Sequence, residues 1–267
     1  MVATIRVLIT GAAGRMGREM TKGLLKAKDI EVVGAVDKVE VGQDIGVLNH
    51  LPPVGITIEG DLEKALQQTR PQVMVDFTVP GAAMENAKLA LARGVRPVIG
   101  TTGFTLKDID ELHHICESRQ IGCVVAPNFS LGAVLMMHFS RLAARYFPHV
   151  EIIEMHHPQK LDAPSGTALK TAELVAASRT QEPDKPLSQE TLAGVRGGVY
   201  QGIPIHSVRL PGAVAHQEVI FGAPGQILTL RHDTLGREAF LPGLLLAIRE
   251  VVELKGLVYG LENLLKF

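Results

Sequence analysis

The sequence predicts an α/β protein whose first part is built on a parallel sheet and whose second part is α+β with a mixed sheet. Three observations carry this. Short apolar runs alternate with helical patterns up to Pro127, the mark of βαβ units with right-handed crossovers. A glycine-rich turn, Gly11-Ala12-Ala13-Gly14-Arg15-Met16-Gly17, separates the first apolar run from the first helical pattern. After Pro127 the alternation gives way to longer strand-like segments punctuated by Gly and Pro.

In the first part Ile5–Thr10, Glu31–Asp37, Val73–Thr78, Val95–Thr101 and Gly122–Ala126 read as strands. Helical patterns at Arg15–Lys28, Asp61–Gln68, Gly81–Arg93 and Thr105–Arg119 lie between them. Asp61 and Thr105 suit N-caps, because their side-chain oxygens can accept from the unpaired amides of a first turn. Further on, Leu131–Tyr146 reads as a long helix, Val150–Met155 as a strand and Ala168–Ala177 as a helix. Gln181–Ser188 is a polar, proline-containing loop. Ile205–Leu210, His216–Phe221 and Ile227–His232 have strand character, with turns at Pro211-Gly212 and Gly222-Ala223-Pro224-Gly225. Arg237–Leu254 is helical and apolar on a broad face, and is expected to return and pack on the first domain. The expected domains are therefore 1–127 with 240–267, and 128–239, with Pro127-Asn128 as a candidate hinge.

The 267 residues suffice for one large or two modest domains, and 46% hydrophobic residues support a sizeable core. A net charge of −1 argues against a partner bound through bulk electrostatics, so no nucleic acid is expected. No run of 18 apolar residues occurs, so no membrane span is expected. The start of the chain shows no basic n-region or apolar h-region, which makes a cytoplasmic protein the expectation, or a stromal one were the source a plant. The two cysteines, Cys116 and Cys123, form no CxxC and read as buried thiols of a reducing compartment.

The glycine turn lets a diphosphate approach the backbone at the start of a helix, whose dipole favours the anion. Its spacing is GxxGxxG rather than GxGxxG. Its place at the first βα turn, and Asp37 at the end of the second strand where an acid can bond a ribose hydroxyl, strengthen the match. Arg15 and Arg18 stand in the first helical turn, where the macrodipole disfavours cations unless an anion is present. Lys38 could pair with a 2′-phosphate that Asp37 would repel, so the pair is read as tolerating both NADH and NADPH. Gly100-Thr101-Thr102-Gly103-Phe104 and Ala126-Pro127-Asn128-Phe129-Ser130 end the fourth and fifth strands, where ligands bind in such sheets.

The segment from Glu154 to Ala168 holds His156, His157 and Lys160, then Ser165-Gly166-Thr167 at the start of a helix. An open helix start presents amides to an anion, and the histidines and lysine can move a proton. Neighbouring histidines on an extended chain face apart, and no HExxH occurs, so no metal is expected. His113 and His114 sit within a helical pattern and read as surface or satisfied residues. Such a set meets the need of a reductase that adds hydride from one side and a proton from the other. Another nicotinamide-dependent dehydrogenase, of homoserine or semialdehyde type, and a dinucleotide-binding redox sensor are the competing readings. The semialdehyde type needs a nucleophilic cysteine, and neither Cys116 nor Cys123 is near this segment in sequence.

These strings resemble the 4-hydroxy-tetrahydrodipicolinate reductase (dihydrodipicolinate reductase) family from end to end. They include Val75-Asp76-Phe77-Thr78, His156-His157 through Thr167, and Gly202-Ile203-Pro204-Ile205-His206-Ser207-Val208-Arg209. The His-His-x-x-Lys-x-Asp-Ala-Pro-Ser-Gly-Thr-Ala string is the specific one. The resemblance implies a Rossmann-like cofactor domain closed by the C-terminal helix, and a substrate domain whose sheet mediates a homotetramer. It implies reduction of a small cyclic dicarboxylate with NADPH or NADH, in the diaminopimelate route to lysine. By position it makes His156 and Lys160 catalytic, and assigns the substrate to His157, Ser165, Gly166 and Thr167. It assigns the cofactor to Gly11, Ala12, Ala13, Gly14, Arg15, Met16, Asp37, Lys38, Gly100, Thr101, Thr102, Ala126, Pro127, Asn128 and Phe129. Asp37 stands where some members carry glutamate. Asn128 and Gly103 are expected where domain closure gates the site.

Overall fold

The computed structural model describes residues 4–184 and 189–266. The chain forms two compact units, Met1–Leu131 with Arg237–Phe267, and Gly132–Gly236.

The first unit begins β1 (Ile5–Thr10), α1 (Arg15–Leu24), β2 (Ile30–Val36), α2 (Ile45–Leu48), β3 (Ile58–Glu59), α3 (Leu62–Thr69), β4 (Val73–Asp76), α4 (Pro80–Ala92), β5 (Arg96–Ile99), α5 (Leu106–Arg119) and β6 (Cys123–Val125). The second unit follows with α6 (Leu131–Ala143), β7 (His149–His156), α7 (Gly166–Ser178), β8 (Gly198–Tyr200), β9 (Ile203–Arg209), β10 (Ala215–Ala223) and β11 (Gln226–Thr234). The chain then re-enters the first unit through a 3₁₀ turn (Arg237–Phe240), α8 (Leu241–Val251), β12 (Leu257–Tyr259) and a second 3₁₀ turn (Leu261–Leu264).

All ladders of the first sheet are parallel, in the order β12-β6-β5-β4-β1-β2-β3. The order reverses between β1 and β4, and that reversal opens a crevice beyond the carboxyl ends of these strands. The strands are buried because helices cover both faces: Val7, Leu8, Ile9, Val73, Met74, Val75, Val98 and Ile99 are fully buried. Cys116 and Cys123 are free, buried thiols packed with Ala83, Leu91, Ile99 and Leu112.

Local chemistry sets the helix ends. Asp61 accepts from the amides of Glu63 (2.8 Å) and Lys64 (3.2 Å) and caps α3. Thr105 and Asp108 form a reciprocal capping box at α5. Three helices are shorter than their patterns. After Leu24 the amides of Lys26 and Ala27 turn to the carbonyls of Gly23 and Leu24, and the tightened turn ends α1 before Lys28. The Tyr146 amide turns likewise to Ala143 and stops α6 before Tyr146. The Arg237–Leu254 pattern divides into the 3₁₀ turn and α8, because Pro242 lacks an amide hydrogen and restricts the residue before it. α7 starts at Gly166, two residues ahead of the apolar run that marks it in the sequence. The first domain is closed by β12 as well as by α8: Leu257 to Tyr259 pair with Cys123 to Val125.

Two glycines permit close approaches here, Gly11 to the chain leaving β4 and Gly17 of α1 to the turn after β1. Gly11 has φ +72°, and a Cβ there would stand 2.5 Å from the Phe77 carbonyl oxygen. A Cβ on Gly17 would stand 2.0 Å from the Gly11 oxygen. Gly17→Ala is therefore expected to destabilise the chain by about 1–3 kcal/mol, read as a lower urea midpoint at unchanged slope. An unchanged midpoint would mean that α1 can move off the turn freely.

The second unit's sheet has the order β11-β10-β7-β9-β8. β7 and β9 are parallel and the other pairs antiparallel, so it is mixed. α6 and α7 cover one face, with Met136, Ala144, Ala168, Ala172 and Val175 against Val150, Ile152, Ile205, Val219 and Phe221. Strand alternation puts Glu151, Ile153 and Met155 of β7, with Glu218 and Ile220 of β10, on the other face. Residues 185–188 of the polar Gln181–Ser188 loop lie outside the described residues. Among the described residues no helix is long and apolar enough to cross a membrane.

Candidate functional site

In the first unit the glycine turn is held from both sides. The Gly11 amide donates to the Val36 carbonyl (2.9 Å) and the Gly14 amide to the Gly11 carbonyl (3.1 Å). Asp37 Oδ2 accepts from the Ala13 amide (2.9 Å), and Oδ1 from the amides of Lys38 (2.7 Å) and Val39 (3.2 Å). Gly14 ends the turn in extended conformation, gives α1 no side-chain cap, and no acid stands in that first turn. The first amides of α1 are left for a ligand, and Arg15 adds positive charge beside them. An anionic diphosphate fits this turn.

Two cavities flank the point where strand order reverses. One, of 330 Å³, is lined by Thr10, Gly11, Gly14, Asp37, Lys38 and Asn86 among others. The second, of 370 Å³, is lined by Met16, Gly100, Thr101, Thr102, Pro127, Asn128 and Phe129, with Phe240 from the returning chain. Phe77, Thr78 and Val79 line both. Ala12 and Ala126 are buried behind these surfaces, and Arg15 is exposed. Gly100 keeps the second cavity open, since a Cβ there would meet the Phe77 ring at 2.3 Å and the Phe129 ring at 2.9 Å. Lys38 Nζ donates to the Gly60 carbonyl (3.3 Å), so its ammonium is held at the edge of the Asp37 cavity.

Asp76 had no role in the sequence reading, yet it binds the crevice together. It is fully buried at the end of β4 and accepts from Thr10, Thr78, Asn86 and Thr101. An acid closing an apolar strand was its visible signal.

The second unit holds the histidine–lysine segment. β7 ends at His156, and His157 beyond it is exposed. Glu154, two residues before His156 and so on the same side of the strand, has no exposed side-chain surface. His156 Nδ1 lies 2.5 Å from Glu154 Oε2. Arg209 of β9 clasps the same carboxylate, NH1 to Oε2 and NH2 to Oε1, both at 2.9 Å. Its NH2 also donates to the Asp162 carbonyl (2.6 Å), which anchors the loop carrying Lys160. Lys160 Nζ donates to both Asp162 oxygens, at 2.8 and 2.9 Å. Sequence reasoning quoted Glu154, Asp162 and Arg209 within strings but gave them no work; the i, i+2 spacing of Glu154 and His156 was their signal.

Burial opposes ionisation of Glu154, but hydrogen bonds from Arg209, Ser207 and His156 outweigh it and lower its pKa. Burial lowers the His156 pKa; Glu154 works against this, and the charges of Lys160 and Arg209 add to it. The hydrogen bond from Lys160 lowers the pKa of Asp162 against a smaller effect of burial. An ionised Glu154 only accepts, so Nδ1 of His156 carries the proton and Nε2 keeps a lone pair.

The loop reaches α7 through a cis Ala163-Pro164 bond. Buried Ser165 caps the helix by accepting from the Ala168 amide (3.2 Å), so its oxygen supports the helix start. Among the described residues the Gly166 and Thr167 amides have no acceptor. From below, Gln217 Nε2 donates to Thr171 Oγ1 and Thr171 donates to the Thr167 carbonyl, both at 2.7 Å. His113 and His114 are exposed on α5. Among the described residues no group of three or more His, Cys, Asp or Glu could hold a metal ion.

Comparison with known proteins gives one answer for both units. Residues 5–129 match the family model for the dihydrodipicolinate reductase N-terminus, and residues 132–265 the model for its C-terminus. The chain is 68% identical to 4-hydroxy-tetrahydrodipicolinate reductase of Moorella thermoacetica, over 100% of both chains. It is 54% identical to the reductase of Desulfitobacterium hafniense, over 98% of this chain and 99% of that one. The solved structure of a dipicolinate-bound dihydrodipicolinate reductase from Paenisporosarcina sp. TG-14 superposes with TM-score 0.89 at 47% identity, covering 98% of this chain and 100% of that one.

Proposed function

The chain belongs to the dihydrodipicolinate reductase family, and from that membership we propose that it reduces 4-hydroxy-tetrahydrodipicolinate (dihydrodipicolinate) to tetrahydrodipicolinate in the diaminopimelate route to lysine. The observation that carries the reading is the second unit's segment, where a lysine and a carboxylate-oriented histidine precede a helix start with two open amides.

The first unit takes the nicotinamide dinucleotide: its diphosphate on the Gly11–Gly14 turn and its two halves in the two cavities. The dinucleotide supplies a hydride; the remaining work falls to the chain. The Gly166 and Thr167 amides and His157 hold one substrate carboxylate. Lys160 Nζ stabilises the electron density that builds on the ring and delivers the proton. Held by Glu154, His156 stays neutral with Nε2 free, so it can pass that proton on or return it. Asp162 holds the Lys160 ammonium in place between turnovers. NADH and NADPH both serve, since Asp37 suits a ribose hydroxyl and Lys38 a 2′-phosphate.

The enzyme works in the cytoplasm as a homotetramer. The sheet face bearing Ile153, Met155 and Ile220, opposite α6 and α7, supports assembly through that sheet. Light scattering on a sizing column should give four times 28.7 kDa; a monomer would overturn that assignment.

The activity is tested by following NADPH and NADH absorbance with freshly condensed pyruvate and aspartate semialdehyde. Oxidation of both cofactors is expected. Folded protein that binds NADH but leaves it unoxidised would favour a sensor instead, and turnover of homoserine would favour another dehydrogenase.

A further inference from the structure

We propose that Asp76 sets the hydrogen-bonding polarity of the nicotinamide-side cavity, turning the Thr101 and Thr78 hydroxyls into acceptors that select the amino group of the carboxamide. The inference rests on the dinucleotide reading above and adds a positioning residue and a recognition rule to it.

The groups around the Asp76 carboxylate all donate. Oδ1 receives the Thr78 amide (3.0 Å), the Thr78 hydroxyl (2.7 Å) and the Thr101 hydroxyl (2.9 Å). Oδ2 receives the Thr10 hydroxyl (2.6 Å) and the Asn86 amide group (2.8 Å). A carboxylate has no hydrogen to give, and a hydroxyl has only one. Once Thr78 and Thr101 have given theirs to Asp76, their oxygens offer only lone pairs elsewhere. Both residues line the 370 Å³ cavity beside Gly100, Asn128 and Phe129. A ligand N–H placed against that wall is bound, whereas a methyl or carbonyl oxygen at the same place leaves a buried acceptor unmet. The carboxamide amino group is the donor that the nicotinamide ring carries.

Asp76 is 0% exposed and so does not touch ligand itself. If it were only a staple joining β1, β4, β5 and α4, its loss would weaken all dinucleotides alike. Polarity makes a different prediction, sided by the backbone. The Thr78 amide cannot reverse, so in Asp76→Asn it holds the side-chain oxygen at the Oδ1 position and Thr101 stays a donor to it. In Asp76→Ala nothing holds the hydroxyl, and it can turn its hydrogen outward.

The test is isothermal titration of NAD⁺, of its 3-acetylpyridine analogue, in which a methyl replaces the carboxamide amino group, and of ADP-ribose, which lacks the ring. The native chain is expected to prefer NAD⁺ over the analogue by about tenfold. Thr101→Val should reduce that preference to about twofold with ADP-ribose affinity unchanged, and Thr101→Ser should keep it. Asp76→Asn should retain the preference and Asp76→Ala lose it. Equal affinity of the native chain for the two dinucleotides, or an undiminished preference in folded Asp76→Ala, overturns the proposal. Should Asp76→Ala fail to fold, the Thr101 pair decides: a preference that survives Thr101→Val overturns it. A native chain that binds neither dinucleotide nor ADP-ribose overturns the cofactor reading itself, and this inference with it.

Discussion

Replacing Lys160 with alanine is expected to lower kcat by about 10²–10⁴-fold and to leave NADPH affinity within about twofold, because the residue and the glycine turn belong to different units. The side chain is one-fifth exposed and its ammonium rests on Asp162. It is thus anchored and within reach of solvent. The role proposed for it combines two functions: a positive charge to steady the electron density that builds on the ring, and a proton to quench it. Lys160→Arg separates them, since guanidinium keeps the charge but does not release a proton near neutral pH. Arginine should restore much of the substrate KM lost in Lys160→Ala while kcat stays low. Steady-state kinetics with titration calorimetry for the cofactor checks this. Unchanged turnover in Lys160→Ala, or full recovery by arginine, would remove the proton from Lys160.

Glu154→Leu is expected to have the largest effect on stability. The carboxylate is buried and takes two hydrogen bonds from Arg209 and one from His156. Its loss strands a cation, which costs about 3–5 kcal/mol in a closed interior. The Arg209 side chain is about one-fifth exposed, which argues for the low end of that range. The sign of the pH effect follows from two lowered pKa values. The folded value of His156 lies below its ordinary 6.5, so its contribution is present above pH 6.5 and fades as pH falls through the folded value. The folded value of Glu154 lies below its ordinary 4.5, so its contribution is lost later on the same descent. The native chain should therefore lose stability in two stages on acidification, and the lower one should be smaller in Glu154→Leu, where Asp162 and the other carboxylates of lowered pKa remain. Urea midpoints followed from pH 8 down through and well below pH 4.5 give the answer; parallel curves for the two proteins would refute it.

The sequence carried the parts of the fold that repeat or punctuate. Apolar runs marked β1, β2, β4, β5 and β6, and Asp61 and Thr105 marked the helices they cap. It was silent on β3, β8 and β12, each of two or three residues, too short for a period to register. Helix ends slipped at Leu24 and Ala143 because a tightened last turn leaves no mark in an apolar pattern. At the site, motif residues were legible because their types are chemically unusual together. Asp76, Glu154, Arg209 and Gln217 were not, because each also works through a partner distant in the chain: Thr10 for Asp76, the Glu154–Arg209 pair, and Thr171 for Gln217, 46 to 66 positions apart.

The placement of β12 also bears on how the chain matures. Residues 132–236 are continuous, so the second unit can assemble as soon as it leaves the ribosome. The first unit is interrupted by it: β6 is made by residue 125 beside β5, but its neighbour on the other edge comes only at 257–259. For the time needed to synthesise the intervening residues, β6 is a bare edge able to pair with another chain. Its brevity, three residues buried beneath α5, limits that hazard. The nucleotide-binding sheet is thus the last part of the molecule to be finished, although its glycine turn is among the first parts made.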